Sequence, residues 1–502
     1  MKYLIALPVL AAVAAPSVAA AATYDWELSP SEQFRMWIDD DQAVIYGFYV
    51  IWNESAGDTR VLVEREIIQQ WARTFGFGII GTQLPDPGYA DTLLDAMDDF
   101  AAMSGHPEIA NAPVLCEGLS LGGYSAMEFA GAHPERTIAF LSGASGRVDA
   151  PTMPGFAQVP GLFYLGDEDP DLDNALERTD EVMAIRASGA QVAYFIQWGA
   201  GHERGFADEL GWKFLADAVR LRYPEGATPL DGPVELIDIP DDFGWLADQT
   251  TWQSELTDVF PYDDAPGAAE DYFWLPTRDA AFAYRGHATS EQPIAFTQPS
   301  GEVDWTVVDP GETVDIAVST AGLGDVSTVE VFDGSSSIAL LDTAPYTATW
   351  TAEGIGAHAL VAVATLGDGT QRSGYIAPVL VLGTAAPGGG GLDDGDRPDG
   401  GAVGGDGGPA GGDGGGGDDD GGGCGCRASD PGTPLAGLLV LLALVSARRR
   451  GWPAGSAAGG LPPGRPRPDR RPCSWRAARG RTGSARTTAV ACRPRRSAAP
   501  GS

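Results

Sequence analysis

Residues 116–124 read Cys-Glu-Gly-Leu-Ser-Leu-Gly-Gly-Tyr, CEGLSLGGY, and contain the pattern Gly118-x-Ser120-x-Gly122. Five positions of this kind recur by chance, so their flanks decide the reading. Upstream, APVLCEG (112–118) is a short apolar run of strand length. Downstream, LGGYSAMEFAGAHP (121–134) has helical composition and spacing. A serine between such elements sits on a sharp turn where strand and helix approach closely, and a side chain at 118 or 122 would collide. The helix after Ser120 aims its first N–H groups at the same point, which favours a developing oxyanion.

The same alternation runs outward from this turn, over residues 23–224. Apolar strand-like runs occur at 43–51 (AVIYGFYVI), 75–83, 137–145, 161–166 (GLFYLG) and 191–199 (QVAYFIQWG). Helical spacing occurs at 59–74, 89–105, 173–189 and 203–224, the last stopped by Pro224. Strands that are apolar throughout, separated by helices, predict an α/β fold with a mostly parallel sheet covered on both faces.

A serine hydroxyl is a weak nucleophile without a base. On this strand–Ser–helix scaffold the partners follow in the order Ser, acid, His. Four histidines follow Ser120. His133 ends the elbow helix, and His287 and His358 lie beyond the α/β region. His202, in WGAGHERGF (198–206), occupies the loop after the last strand and is the expected base. The preceding loop, GDEDPDLD (166–173), offers Asp167, Glu168, Asp169 and Asp171. Asp169, just before Pro170, is favoured, with Asp167 as the alternative acid. The backbone N–H of Leu121 supplies one oxyanion donor. The second should come from WNESAGDTR (52–60), with Asn53, Glu54 and Ser55 as candidates.

These motifs, with SGHPEIANAPVLCEGLSLGGYSAMEFAGAHPER (104–136), resemble the α/β-hydrolase superfamily. Within it they resemble secreted esterases of the feruloyl esterase and polyhydroxybutyrate depolymerase type. The resemblance spans about half of the chain and implies a serine esterase acting through an acyl-enzyme, with no metal or organic cofactor. The same residues would also suit a serine peptidase on this fold. A third reading is a non-catalytic cell-surface binding protein with a degenerate hydrolase domain. Many relatives carry His-Gly where this chain has Asn53-Glu54, which leaves the second oxyanion donor open. Only residues 144–160 separate two successive strands where lipases insert a helical cap. An uncapped, open site suits esters displayed on a polysaccharide or polyester.

The rest of the 502 residues divides by composition. Residues 1–22 carry Lys2, an apolar run and an Ala-x-Ala end, the pattern of a secretory signal peptide cleaved near Ala22. Residues 225–291 are acidic and aromatic-rich without clear periodicity. They would either pack on the first domain or form an appendage. Residues 292–383 show short alternating strands and turns, an all-β sandwich resembling the Ig-like modules of secreted bacterial hydrolases. Residues 384–427 are a Gly/Asp linker with no core-forming side chains. Residues 428–450 hold a 13-residue apolar run, 434–446, before three arginines. With Cys424 and Cys426 just upstream, this resembles a myxobacterial C-terminal sorting signal, which implies sorting or processing machinery acting at those cysteines. Residues 451–502 lack Ile, Phe, Tyr, Lys, Glu, Asn and Gln and read as a disordered or mistranslated tail.

The net charge is -37, from 32 basic and 69 acidic residues. Fourteen of the basic residues lie from Arg448 onward, leaving 18 against 68 upstream. Such a surface repels nucleic acid and anionic lipid, so nucleic acid is excluded as a partner and membrane contact is confined to the C-terminal helix. Five cysteines give no disulfide framework for the globular part, and Cys116, in an apolar strand, reads as an inert core residue.

Overall fold

An eight-stranded sheet organises residues 22–224. The structure is a computed structural model and describes residues 22–388, apart from 146–154, 171–174, 206, 252–255, 291 and 300–304. Residues 1–21, Asp171, the linker from 389 onward, Cys424, Cys426, the sorting helix and the tail lie outside the described residues. Among the described residues no helix is long and apolar enough to cross a membrane.

The strands are β1 (Ala22–Ser29), β2 (Glu32–Ile38), β3 (Gly47–Trp52), β4 (Phe77–Gln83), β5 (Val114–Leu119), β6 (Thr137–Gly143), β7 (Gly161–Gly166) and β8 (Val192–Gln197). Their spatial order is β1-β2-β4-β3-β5-β6-β7-β8. From β4 to β8 every pairing is parallel, whereas β1 and β2 are antiparallel additions at one edge. The helices α1 (Glu66–Arg73), α2 (Ala90–Ser104), α3 (Leu121–Ala132) and α4 (Ala175–Arg186) connect parallel strands, and α5 (Ala207–Arg222) follows β8. This is an α/β-hydrolase-like topology. Strands β3 and β5 to β8 are buried at every residue, as sheet covered on both faces requires.

The β1–β2 hairpin is the main addition to the sequence expectation. Tyr24, Trp26 and Leu28 alternate in sequence with Asp25 and Glu27, and burial follows that period as far as Glu27. Asp25 pairs across the strands with Arg35, Nε to Oδ1 at 2.8 Å.

Residues 225–291 pack onto the first domain. They form a small sheet, β9 (Trp245–Ala247), β10 (Val259–Pro261) and β11 (Phe273–Leu275), and the helix α6 (Arg278–His287). Two buried arginines tie this irregular chain down. Arg186 donates to the carbonyls of Ala190, Ala269 and Tyr272, and Arg222 to those of Thr137, Ile138 and Ile237.

The β-sandwich follows. One sheet holds β12 (Ala295–Gln298), β14 (Thr313–Ser319) and β17 (Tyr346–Thr351). The other holds β13 (Thr306–Val308), β15 (Val326–Asp333), β16 (Ser336–Leu341), β18 (Gly356–Leu366), β19 (Gln371–Arg372) and β20 (Ala377–Val381). Strand β18 is buried on both faces. Leu360, Ala362 and Ala364 enter the sandwich core, while Ala359, Val361 and Val363 join the hydrophobic core of the α/β domain. The continuous run ALVAVA (359–364) is the sequence trace of that double burial. Trp305, at the foot of β13, extends a stack of Trp71 and Trp212 across the same contact.

Glu209 on α5 and His287 on α6 are buried near this contact, Oε2 to Nδ1 at 3.9 Å, and neither atom has a hydrogen-bond partner among the described residues. Burial pushes the Glu209 carboxyl up to about 9 and the His287 imidazole down to about 3. The folded chain therefore keeps a Glu209 proton that the unfolded chain releases above 4.5, so stability falls as pH rises from 4.5 towards 9. Protonation of His287 in the unfolded chain lowers stability as pH falls below 6.5. Glu209→Gln should flatten the alkaline fall, which one group can drive by at most about 1.4 kcal/mol per pH unit. Denaturant melts of both proteins between about pH 5 and pH 9 check this, and parallel curves would contradict it.

Candidate functional site

Ser120 sits between β5 and α3 with φ 58° and ψ -121°. This conformation is costly for a residue with a Cβ, and the neighbouring contacts hold it. Ser120 N–H donates to Gly143 O at 2.7 Å. A Cβ on Gly118 would lie 2.1 Å from Gly122 C, and one on Gly122 would lie 2.4 Å from Trp52 O. The two glycines therefore let β5, α3 and the end of β3 meet. Leu121 is the first residue of α3, so its N–H has no intrahelical partner.

His202 and Asp169 stand together. His202 Nδ1 and Asp169 Oδ2 are 2.7 Å apart, with the Asp169 side chain only 1 % exposed and that of His202 22 %. In a neutral imidazole whose Nδ1 donates to this carboxylate, the lone pair lies on Nε2. Asp167 points elsewhere, and its Oδ1 accepts from Gly199 N at 2.6 Å. With Asp167 N to Gln197 O and Glu168 N to Ala200 O, it laces the loop after β7 to the loop after β8. Gly166 permits this approach, since a Cβ there would lie 2.2 Å from Ala200 O. Among the described residues no hydrogen bond joins Ser120 Oγ to His202. Such bonds are often long before substrate tightens the site.

The loop after β3 corrects one expectation. Asn53 N–H is not available to an oxyanion, because it donates to Thr82 Oγ1 at 2.9 Å. The Asn53 side chain is equally committed. Its Nδ2 donates to Glu54 O and Leu84 O, and its Oδ1 accepts from Thr82 Oγ1 and Leu84 N. Asn53 is a buried pin for this loop. Glu54 N–H has no hydrogen-bond partner among the described residues. The Glu54 side chain is exposed and folds back along its own loop, where a Cβ on Gly57 would lie 2.7 Å from Glu54 Cγ. Ser55 is exposed.

A cleft of about 430 Å³ opens beside these groups. Trp52, Glu54, Asp58, Leu119, His202 and Arg204 are among the residues that line it. Arg204, on the loop of His202, forms an ion pair with Glu117 on β5, Nη2 to Oε1 at 2.5 Å. Glu117 is fully buried. Burial pushes its carboxyl up to about 8, and Arg204 pulls the other way. Neither residue was among the sequence-derived candidates. The signals were a charge inside an apolar strand and an arginine two residues after His202. Cys116 is buried, and desolvation pushes its thiol up to about 12. Among the described residues no cluster of His, Cys, Asp or Glu is arranged to hold a metal ion.

Residues 294–370 match the family described as Bacterial Ig domain. No curated protein matches the chain in sequence. Among solved structures, esterase PE8 is similar at 17% identity, over 34% of this chain and 89% of that one, with a TM-score of 0.27. A ferulic acid esterase is similar at 14% identity, over 36% and 92% of the two chains, with a TM-score of 0.28. The fibronectin(III)-like modules of Clostridium thermocellum CbhA are similar at 33% identity, over 18% and 93%, with a TM-score of 0.16.

The backbone strain at Ser120 has a measurable consequence. Ser120→Gly relieves it and Ser120→Ala does not. The glycine variant should exceed the alanine variant in stability by about 1 kcal/mol, within the range for a residue held in such a conformation. Urea unfolding of the two variants checks this, and equal stability or a more stable alanine variant would show that the turn is unstrained.

Proposed function

We propose that the chain is an exported serine esterase. The observation that carries the reading is Ser120 on a strained strand-to-helix turn, with the His202–Asp169 pair on the loops at the same ends of the neighbouring parallel strands. Ser120 Oγ attacks the ester carbonyl and His202 Nε2 takes its proton. Asp169 holds the imidazole in the required tautomer and stabilises the imidazolium. The N–H groups of Leu121 and Glu54 stabilise the tetrahedral oxyanion. The alcohol leaves with the proton from Nε2. Water, deprotonated by the same nitrogen, then releases the acyl group from Ser120.

The substrates proposed are carboxylic esters displayed on a polysaccharide or polyester. The short β6–β7 connection supports this, since its described part contains only the single 3-10 turn Phe156–Gln158. Residues 1–22 support export, and Cys424 or Cys426 with the apolar run of 434–446 behind them supports attachment at the cell surface.

A fluorophosphonate probe tests the reading. Wild type should be labelled and Ser120→Ala should not. Asp169→Asn should lower kcat on p-nitrophenyl acetate by roughly 10³-fold or more, as loss of the tautomer-fixing carboxylate does. Asp167→Asn, which only loosens the loop, should stay within about tenfold. An unlabelled wild type would overturn the esterase reading in favour of a binding protein. Faster turnover of peptide anilides than of esters would instead make the chain a peptidase.

A further inference from the structure

We propose that the Ig-like domain positions the loop carrying His202, with Tyr375 as the positioning residue; this rests on the reading of His202 as the base. Tyr375 lies between β19 and β20, and its hydroxyl donates to Trp198 O at 3.1 Å. Trp198 is the first residue after β8, four before His202. Its indole Nε1 donates to Ala288 O at 3.1 Å, at the end of α6. The root of the loop is thus held by the sandwich through its carbonyl and by α6 through its side chain.

The Tyr375 ring belongs to an aromatic column that runs to the elbow. It lies 5.2 Å from the His287 ring, His287 lies 5.3 Å from Phe195, and Phe195 lies 5.8 Å from Tyr164. Tyr164 fills the space that a Gly143 side chain would need, since a Cβ there would lie 1.9 Å from the ring. Gly143 O is the acceptor for Ser120 N–H. A packed column of this kind has little freedom to shift in parts. The domain contact around it is built as core: β18 is buried on both faces, and Asp279 on α6 accepts from both Ser335 N and Ser335 Oγ at 2.8 Å. A module serving only as a spacer needs none of these contacts.

Tyr375→Phe in the full chain keeps the ring and removes the hydroxyl. Ser335→Ala weakens the same domain contact without touching the loop, and serves as the control. Hydrogen exchange of the amides in 198–205 should be about tenfold faster in Tyr375→Phe, because the loop opens locally. Its kcat on p-nitrophenyl acetate should fall about tenfold with KM unchanged, the signature of a misplaced base. Ser335→Ala should change neither. The proposal is overturned if exchange in Tyr375→Phe stays within about twofold of wild type, or if both variants shift alike, which marks a merely structural contact. A wild type that neither takes the probe nor hydrolyses esters would refute the esterase reading, and the exchange comparison would still decide whether the sandwich holds the loop.

Discussion

The candidate site depends on one close approach of backbones. Strand β5 and helix α3 meet with no side chain at Gly118 or Gly122 between them, and Gly122 brings α3 down onto Trp52 O at the end of β3. Three things follow from that contact. Ser120 is forced to a positive φ, which lifts it out of both elements. The N–H of Leu121, which has no intrahelical partner, opens α3 directly after it. The loop after β3 is drawn alongside, where Asn53 locks it to Thr82 and Leu84, and Glu54 N–H has no hydrogen-bond partner among the described residues. A methyl group at either glycine would disturb all three.

The parts of this arrangement that were legible in the sequence are those with local signals. Glycines around a serine, a buried strand before it and a helix after it are contiguous. The order of Ser120, Asp169 and His202 follows from the chain direction of parallel strands, whose ends share one edge of the sheet. The alternation of apolar runs and helical spacing gave the sheet from β3 to β8 for the same reason. The β1–β2 hairpin also had a local signal, the alternation from Tyr24 to Leu28. That signal has the period of a half-exposed strand, whereas the rest of the domain was read as strands apolar throughout.

What was not legible rests on long-range polar contacts. Residues 225–291 show no periodicity because the carbonyls of Ala269, Tyr272 and Ile237 are satisfied by Arg186 and Arg222 from distant helices. Asn53 looks like an available donor in sequence, and only its contacts with Thr82 and Leu84 show that it is committed. Glu117 and Arg204 are separated by the whole of α3, α4 and the strands between, yet they join the strand before Ser120 to the loop of His202. Tyr375 and Trp198 are 177 residues apart. The sandwich was recognisable as a module from its own strands. Its contact with the α/β domain was written only in the unbroken apolar run of β18.

The central claim is that Ser120 becomes acylated. Acid quenching of the full chain within its first turnovers of a p-nitrophenyl ester, followed by peptide mass spectrometry, tests this most directly. The expected result is one acyl group on the peptide carrying Ser120, and none in Ser120→Ala. An acyl group on another residue, or ester turnover that persists in Ser120→Ala, would contradict it.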